Sequence, residues 1–249
     1  MIQNITKAFG SYPAALRMIF KHGLWGYLLI PGLVCLVAGG AIFGGAWAIS
    51  GSMGEWLANI YPQDWWAHDF FAGALGALSW ISFGLLAALT VILFKYIAMI
   101  VTAPFVGPLS EKIESLATGQ AGPKFSLKDM GTDILRAVRM SLRNIVREIL
   151  WTLVFFIVLN FIPLIGTLLY PIVAFLIQAY YAGFGSMDPA LERQRYGIKQ
   201  RVAYVRSHKG LAIGNGIVFV LLMFVPVLGW FLAPTLGAAA ATLDVVKNR

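Results

Sequence analysis

The chain has 249 residues, 59% of them hydrophobic and only 12% charged, with a mean hydropathy of +0.77. No soluble core of this size hides so much apolar side chain, so the composition excludes a water-soluble globular protein and leaves an all-α integral membrane protein built as a single membrane domain, 1–249. Net charge is +8, yet Lys and Arg are absent from His22 to Phe94, a stretch that holds Glu55, Asp64 and Asp69. Basic flanks stay on the cytoplasmic side of a membrane, so an acidic outer loop and basic inner loops explain the charge without invoking nucleic acid. The single cysteine, Cys35, lies in an apolar run and offers neither a disulfide frame nor a thiol metal cluster.

In chain order, residues 1–22 carry Ile5, Phe9, Tyr12, Leu16 and Ile19 at helical spacing, with Lys7, Arg17 and Lys21 left for water or lipid phosphate. That pattern predicts an amphipathic helix lying in the interface. Residues 24–50 form the first expected transmembrane helix, with Gly40, Ala41, Gly44 and Gly45 as small contact residues. Gly51–Asp69 reads as the outer loop, its Trp56, Tyr61, Trp65 and Trp66 suited to the headgroup belt. The second transmembrane helix covers 70–101, with Lys95 expected to snorkel to the inner headgroups and Pro104 and Pro108 to kink or end the helix.

Residues 108–148 read as cytoplasmic or interfacial helices. Within them Ile134, Val138, Leu142, Ile145 and Ile149 make one stripe, and Arg136, Arg139, Arg143 and Arg147 make another. The arginines form a candidate basic funnel, or equally a row that lies on inner-leaflet phosphates.

The next two apolar segments, 149–185 and 211–246, repeat one frame. Phe161-Ile162-Pro163-Leu164-Ile165-Gly166, continuing to Pro171, matches Phe224-Val225-Pro226-Val227-Leu228-Gly229, continuing to Pro234. Pro163, Gly166, Pro171, Pro226, Gly229 and Pro234 are therefore the expected helix breaks. Both ends of each segment are basic, and the arms are short for a bilayer core of about 20 apolar residues. Each segment is expected to be a re-entrant, half-inserted hairpin, with the basic loop 186–210 between them and both termini cytoplasmic.

No sequence signature of an enzyme is present, neither Gly-x-Ser-x-Gly nor His-Glu-x-x-His, a phosphate loop or Cys-x-x-Cys. No catalytic residue, cofactor or metal ligand is assigned. Asp and Glu are missing from Leu24–Ser50, Phe70–Phe94, Ile149–Met187 and Leu211–Leu243, which argues against a carboxylate relay at membrane depth. Asn160, Gln178, Asn215, Tyr170, Tyr180 and Tyr181 are the polar candidates there. The turn at Gly23 and Leu24, with Arg17 and Lys21 close in sequence, is a candidate oxyanion site built on backbone N–H groups.

Several of these residues occur together in a known family. Thr102-Ala103-Pro104-Phe105, Leu109-Ser110-Glu111-Lys112-Ile113-Glu114, the Pro163 hairpin, Met187-Asp188-Pro189 with the basic loop, and the Pro226/Pro234 hairpin run in the same order in the CysZ bacterial sulfate permeases, grouped with etoposide-induced-protein-like membrane proteins. The chain resembles that family over nearly its whole length. The resemblance implies an inner-membrane permease or channel that supplies sulfate for cysteine biosynthesis, with two long transmembrane helices, two half-inserted hairpins and assembly into a homo-oligomer. Its partners would be sulfate or a related oxyanion and membrane lipid. Sulfate-binding members carry arginine after the Gly-Leu pair at the entrance to the first span; here Gly23 and Leu24 match and Trp25 stands in the arginine's place. That substitution leaves open a different solute, or a membrane-organising protein of the same fold that transports nothing.

Overall fold

The computed structural model describes the backbone of residues 2–60, 68–120, 127–162, 165–225 and 227–248. Side chains at 43, 46–60, 68–91, 127–130, 132–134, 136, 160, 165 and 167 lie outside that description. The described backbone is helical in eight pieces, so the all-α class expected from composition holds: α1 (Ile2–Lys21), α2 (Gly26–Ile60), α3 (His68–Thr118), α4 (Leu127–Asn160), α5 (Ile165–Arg193), α6 (Ile198–Ser207), α7 (Lys209–Met223) and α8 (Leu228–Lys247).

Helix α1 leaves Lys7, Arg17 and Lys21 exposed and buries Ala8, Ser11, Tyr12, Ala15 and Ile19. It ends in a turn at Gly23, whose φ of +66° belongs to the left-handed region that glycine enters without a Cβ clash. Helix α2 then departs at 113°. It does not stop at Ser50, where an outer loop was expected, but runs on to Ile60. Glycines alone cost a helix only about 1 kcal/mol each, and the next proline is Pro62. The tryptophans placed in the headgroup belt lie outside the described side chains. The small residues Gly40, Ala41, Gly44 and Gly45 of the first expected span are exposed, with open space beside Gly40, Gly44 and Gly45 and so no close helix contact among the described residues. Helix α3 is one element of 51 residues that carries Pro104 and Pro108 inside it, so the prolines end nothing.

The internal echo of the sequence is also an echo of structure. The N–H of Gly166 donates to the Ile162 carbonyl at 2.8 Å, and that of Gly229 donates to the Val225 carbonyl at 2.8 Å. A Cβ on Gly229 would lie 1.6 Å from the Leu222 carbonyl oxygen, which is why glycine closes this turn. The chain turns between α4 and α5 and between α7 and α8, giving two helical hairpins, while Pro171 and Pro234 lie inside α5 and α8.

Helix α8 is the axis of the molecule. It touches α1, α2, α3, α5 and α7, and it is made of the residues that allow such crowding: Ala233, Gly237 and Ala238 to Ala241 are all buried. Without a hydrophobic drive between helices in lipid, close backbone approach through small residues is what favours association. The apolar residues that in a soluble helix would face inward instead face out: on α4, Leu142, Val146, Leu150, Val154 and Val158 are exposed. The buried face of that helix carries Met140, Asn144, Glu148 and Thr152. This is the inverse of the pattern of an amphipathic helix in water. Among the described residues, Ile92–Thr118, Leu168–Arg193 and Leu228–Lys247 are long and apolar enough to cross a membrane, and the bent pair Ile2–Lys21 with Gly26–Ile42 also passes that test when joined.

Candidate anion site

A pocket of about 380 Å³ opens where the two hairpins meet the basic segment between them, lined by Arg143, Arg147, Trp151, Tyr180, Tyr181, Phe184, Val202, Arg206 and Lys209. Four of the nine are cations and none is acidic. Helical spacing brings Arg143 and Arg147 to one side of α4. Tyr180, Tyr181 and Phe184 come from α5, Arg206 from α6, and Lys209 opens α7, so the positive end of that helix dipole stands at the rim.

Arg143 is fixed by its donation to Asn144 Oδ1 at 3.0 Å and by the Phe184 ring, whose centroid lies 5.9 Å away. Burial first, and then the like charges of Arg147 and Arg206, hold its guanidinium below the ordinary arginine range. Crowded cations without a carboxylate repel one another, and an anion relieves that repulsion. Guanidinium forks and phenol hydroxyls are also the donors that oxyanions prefer.

Arg206 and Lys209 are held near the pocket by a clamp further back. Arg201 donates from Nη1 to both oxygens of Asp188 at 3.1 Å and from Nε to the Tyr196 carbonyl at 2.8 Å, and its Nη2 lies 3.4 Å from Glu192 Oε1. These bonds tie α6 back to α5. Tyr204 and His208 stack at 4.3 Å across the α6–α7 corner.

The arginine stripe read from the sequence divides here. Arg143 and Arg147 line the pocket, Arg139 is exposed and does not, and the side chain of Arg136 lies outside the described residues. The turn at Gly23 and Leu24 is not joined to this pocket. Its N–H groups are engaged inside the turn, Gly23 to the Phe20 carbonyl at 3.4 Å and Leu24 to the Ile19 carbonyl at 3.0 Å, the bonding of a helix C-terminus that ends on glycine. Arg17 and Lys21 are exposed on α1, and Trp25 packs edge-on against Phe20 with centroids 4.0 Å apart.

Behind the pocket lies chemistry the sequence reading missed. Lys95 does not snorkel: its ammonium is 1% exposed and donates to Glu148 Oε1 at 2.6 Å and Oε2 at 2.8 Å. Tyr96 donates to Glu148 Oε2 at 2.8 Å. Between α1, α7 and α8, Asp244 accepts from Ser11 at 2.5 Å and from Asn215 Nδ2 at 2.7 Å. Carboxylates do therefore enter the packed interior. They stand one residue beyond the segments searched for them.

Comparison with known proteins sets this geometry in a family. A family model described as "Sulfate transporter CysZ/Etoposide-induced protein 2.4" matches residues 11–234. The chain belongs to that family. A relative named Sulfate transporter CysZ, from Pectobacterium atrosepticum, is 25% identical over 245 residues, covering 95% of this chain and 83% of its own. The family-model match runs from the middle of α1 to the first turns of α8, and so includes every residue of the basic pocket.

Proposed function

We propose that this chain is a sulfate permease of the bacterial inner membrane, working as a homo-oligomer with both termini cytoplasmic, and that the pocket of Arg143, Arg147, Arg206 and Lys209 gathers the anion on the cytoplasmic side. The observation that carries the reading is four cations around one recess without a carboxylate, in a chain whose family and relative are named for sulfate transport. Basic segments face the cytoplasm, which assigns the pocket to that side. The 15-residue α7 reaches about 22 Å at 1.5 Å per residue, short of the roughly 30 Å hydrocarbon core, whereas its partner α8 and the arm α5 of the first hairpin are long and apolar enough to cross, so the arms of each hairpin are not equally short as the sequence suggested. Lipid acyl chains cover the exposed apolar stripe of α4, and the cations of α1 rest among lipid headgroups.

Energetics constrain the mechanism. A divalent anion entering a cell held near −100 mV meets a cost of about 4.6 kcal/mol, roughly 2.3 per charge. Uptake follows an outside excess of sulfate and its rapid consumption inside, with the pocket holding anions near the inner mouth. Labelled-sulfate flux into proteoliposomes tests this: flux should scale with the sulfate gradient and be competed by close oxyanions. Flux of chloride or another solute with no competition by sulfate would replace sulfate as the substrate, and no flux of any solute would end the permease reading.

A further inference from the structure

The Lys95–Glu148 pair has the form of an occupied anion site. Two donors from neighbouring residues of α3, the Lys95 ammonium and the Tyr96 hydroxyl, converge on a single carboxylate of α4, and neither Lys95 nor Glu148 is exposed by more than 1%. The Lys95 ammonium also donates to the Gln178 carbonyl at 3.5 Å and lies 4.9 Å from the centroid of the Tyr96 ring. A cation and a hydroxyl aimed at two carboxylate oxygens would serve equally for two oxygens of a tetrahedral oxyanion.

The location fits a route inward. Glu148 follows Arg147 of the basic pocket, and one helical turn before it Asn144 accepts from Arg143. Gln178 lies one turn from Tyr181, which also lines the pocket. One turn beyond Glu148, Thr152 is buried, and its hydroxyl oxygen, like the side-chain oxygen of Gln178, has no hydrogen-bond partner. Buried polar atoms without partners are uncommon and costly, and water travelling with an ion would satisfy both.

We propose that Lys95 and Tyr96 form an inner oxyanion site on the transport route, and that Glu148 fills it as the chain's own stand-in, shutting the route until a transported anion displaces it. This rests on the sulfate permease reading above. The competing account is a plain structural tie between α3 and α4, and the two differ in sign. A tie predicts that weakening Glu148 slows transport, whereas a stand-in predicts that it speeds transport.

The test is labelled-sulfate influx into proteoliposomes of the full chain. Glu148→Gln keeps the shape and removes the competing charge, and should raise influx about tenfold, the equivalent of about 1.4 kcal/mol less competition. Lys95→Met should abolish influx. Because Glu148→Gln leaves a buried ammonium unpaired and can fail to fold, Glu148→Asp provides the second arm: it keeps the charge, withdraws it by one methylene, and should also raise influx. Glu148→Gln or Glu148→Asp protein that elutes and melts like the parent but carries sulfate no faster overturns the proposal. A parent chain that carries no sulfate at all overturns the permease reading instead, so the two failures are told apart.

Discussion

Gly183 of α5 and Ala212 of α7 meet backbone to backbone. A Cβ on Gly183 would lie 1.8 Å from the Ala212 carbonyl oxygen, and one turn on along α7 and one turn back along α5 a Cβ on Gly216 would lie 1.6 Å from the carbonyl oxygen of Ala179. Two small residues four apart on α5 face two small residues four apart on α7, which is how helices approach closely in lipid. The contact joins the two hairpins beside Tyr180, Phe184 and Lys209 of the pocket, so it sets the pocket's width.

Gly183→Val should therefore be more damaging than its size suggests. Neither backbone can yield without separating the hairpins, and overpacking of this kind costs about 1–3 kcal/mol or more. We expect a lower melting temperature in detergent and loss of sulfate binding. By contrast Gly40→Val, where nothing lies within 4 Å of the added Cβ, should leave melting unchanged.

The buried pair of Lys95 and Glu148 predicts an asymmetry between single and double replacement. Lys95→Met alone strands a carboxylate in the interior and should cost about 3–5 kcal/mol. Lys95→Met with Glu148→Met removes both charges and should recover most of that loss, because two matched buried charges contribute little net stability. Thermal unfolding of the three proteins in one detergent checks this.

Arg201→Gln offers a way to disturb the pocket without touching it. Its bonds to Asp188, Glu192 and the Tyr196 carbonyl hold α6, which carries Arg206. With the clamp loosened, Arg206 and Lys209 lose their fixed position, and we expect about a tenfold weaker apparent sulfate affinity, corresponding to about one charge-assisted hydrogen bond. Titration of sulfate against protein thermal stability would register the shift.

Much of this architecture was legible in the residues. The repeated Phe-Pro-Gly frame falls where α4 gives way to α5 and α7 to α8, and there Gly166 and Gly229 donate back to the carbonyls of Ile162 and Val225, while Pro163 and Pro226 themselves lie outside the described residues. The turn at Gly23 was legible as a break, but it proved to be the C-terminus of α1 with its N–H groups engaged, not a helix start open to an anion. The interior polar groups were not legible. Hydropathy marks where an apolar run stops, so Lys95, Glu148 and Asp244 fell one residue outside segments drawn at Phe94, Ile149 and Leu243 and were left out of the interior. Their burial depends on which helix faces which, and a window along one chain carries no information about that. The extension of α2 to Ile60 and the passage of α3 through Pro104 and Pro108 show the opposite error, in which punctuation residues are overruled by long helices. Arg147 was a candidate from its spacing on α4, but Arg206 and Lys209, which line the same recess, come from α6 and the start of α7, a segment tied back by the Arg201 clamp.

Pocket charge should matter in graded fashion. Arg147 and Arg206 are exposed, so salt screens them over a Debye length of about 8 Å at 0.15 M ionic strength. Raising ionic strength with a non-competing salt should weaken sulfate binding of the parent chain and have less effect on a chain already carrying Arg147→Gln and Arg206→Gln.

The most direct measurement is initial sulfate influx into proteoliposomes for the parent chain, Arg139→Gln and Arg147→Gln, matched for folded protein. All three keep α4 intact, and Arg139 and Arg147 lie on the same helix with only the second lining the pocket. The account predicts influx for the parent and for Arg139→Gln at a common level, with Arg147→Gln slower by about threefold to tenfold, as expected for one partly screened charge-assisted contact. Equal influx through all three, or equal slowing by both substitutions, would contradict it.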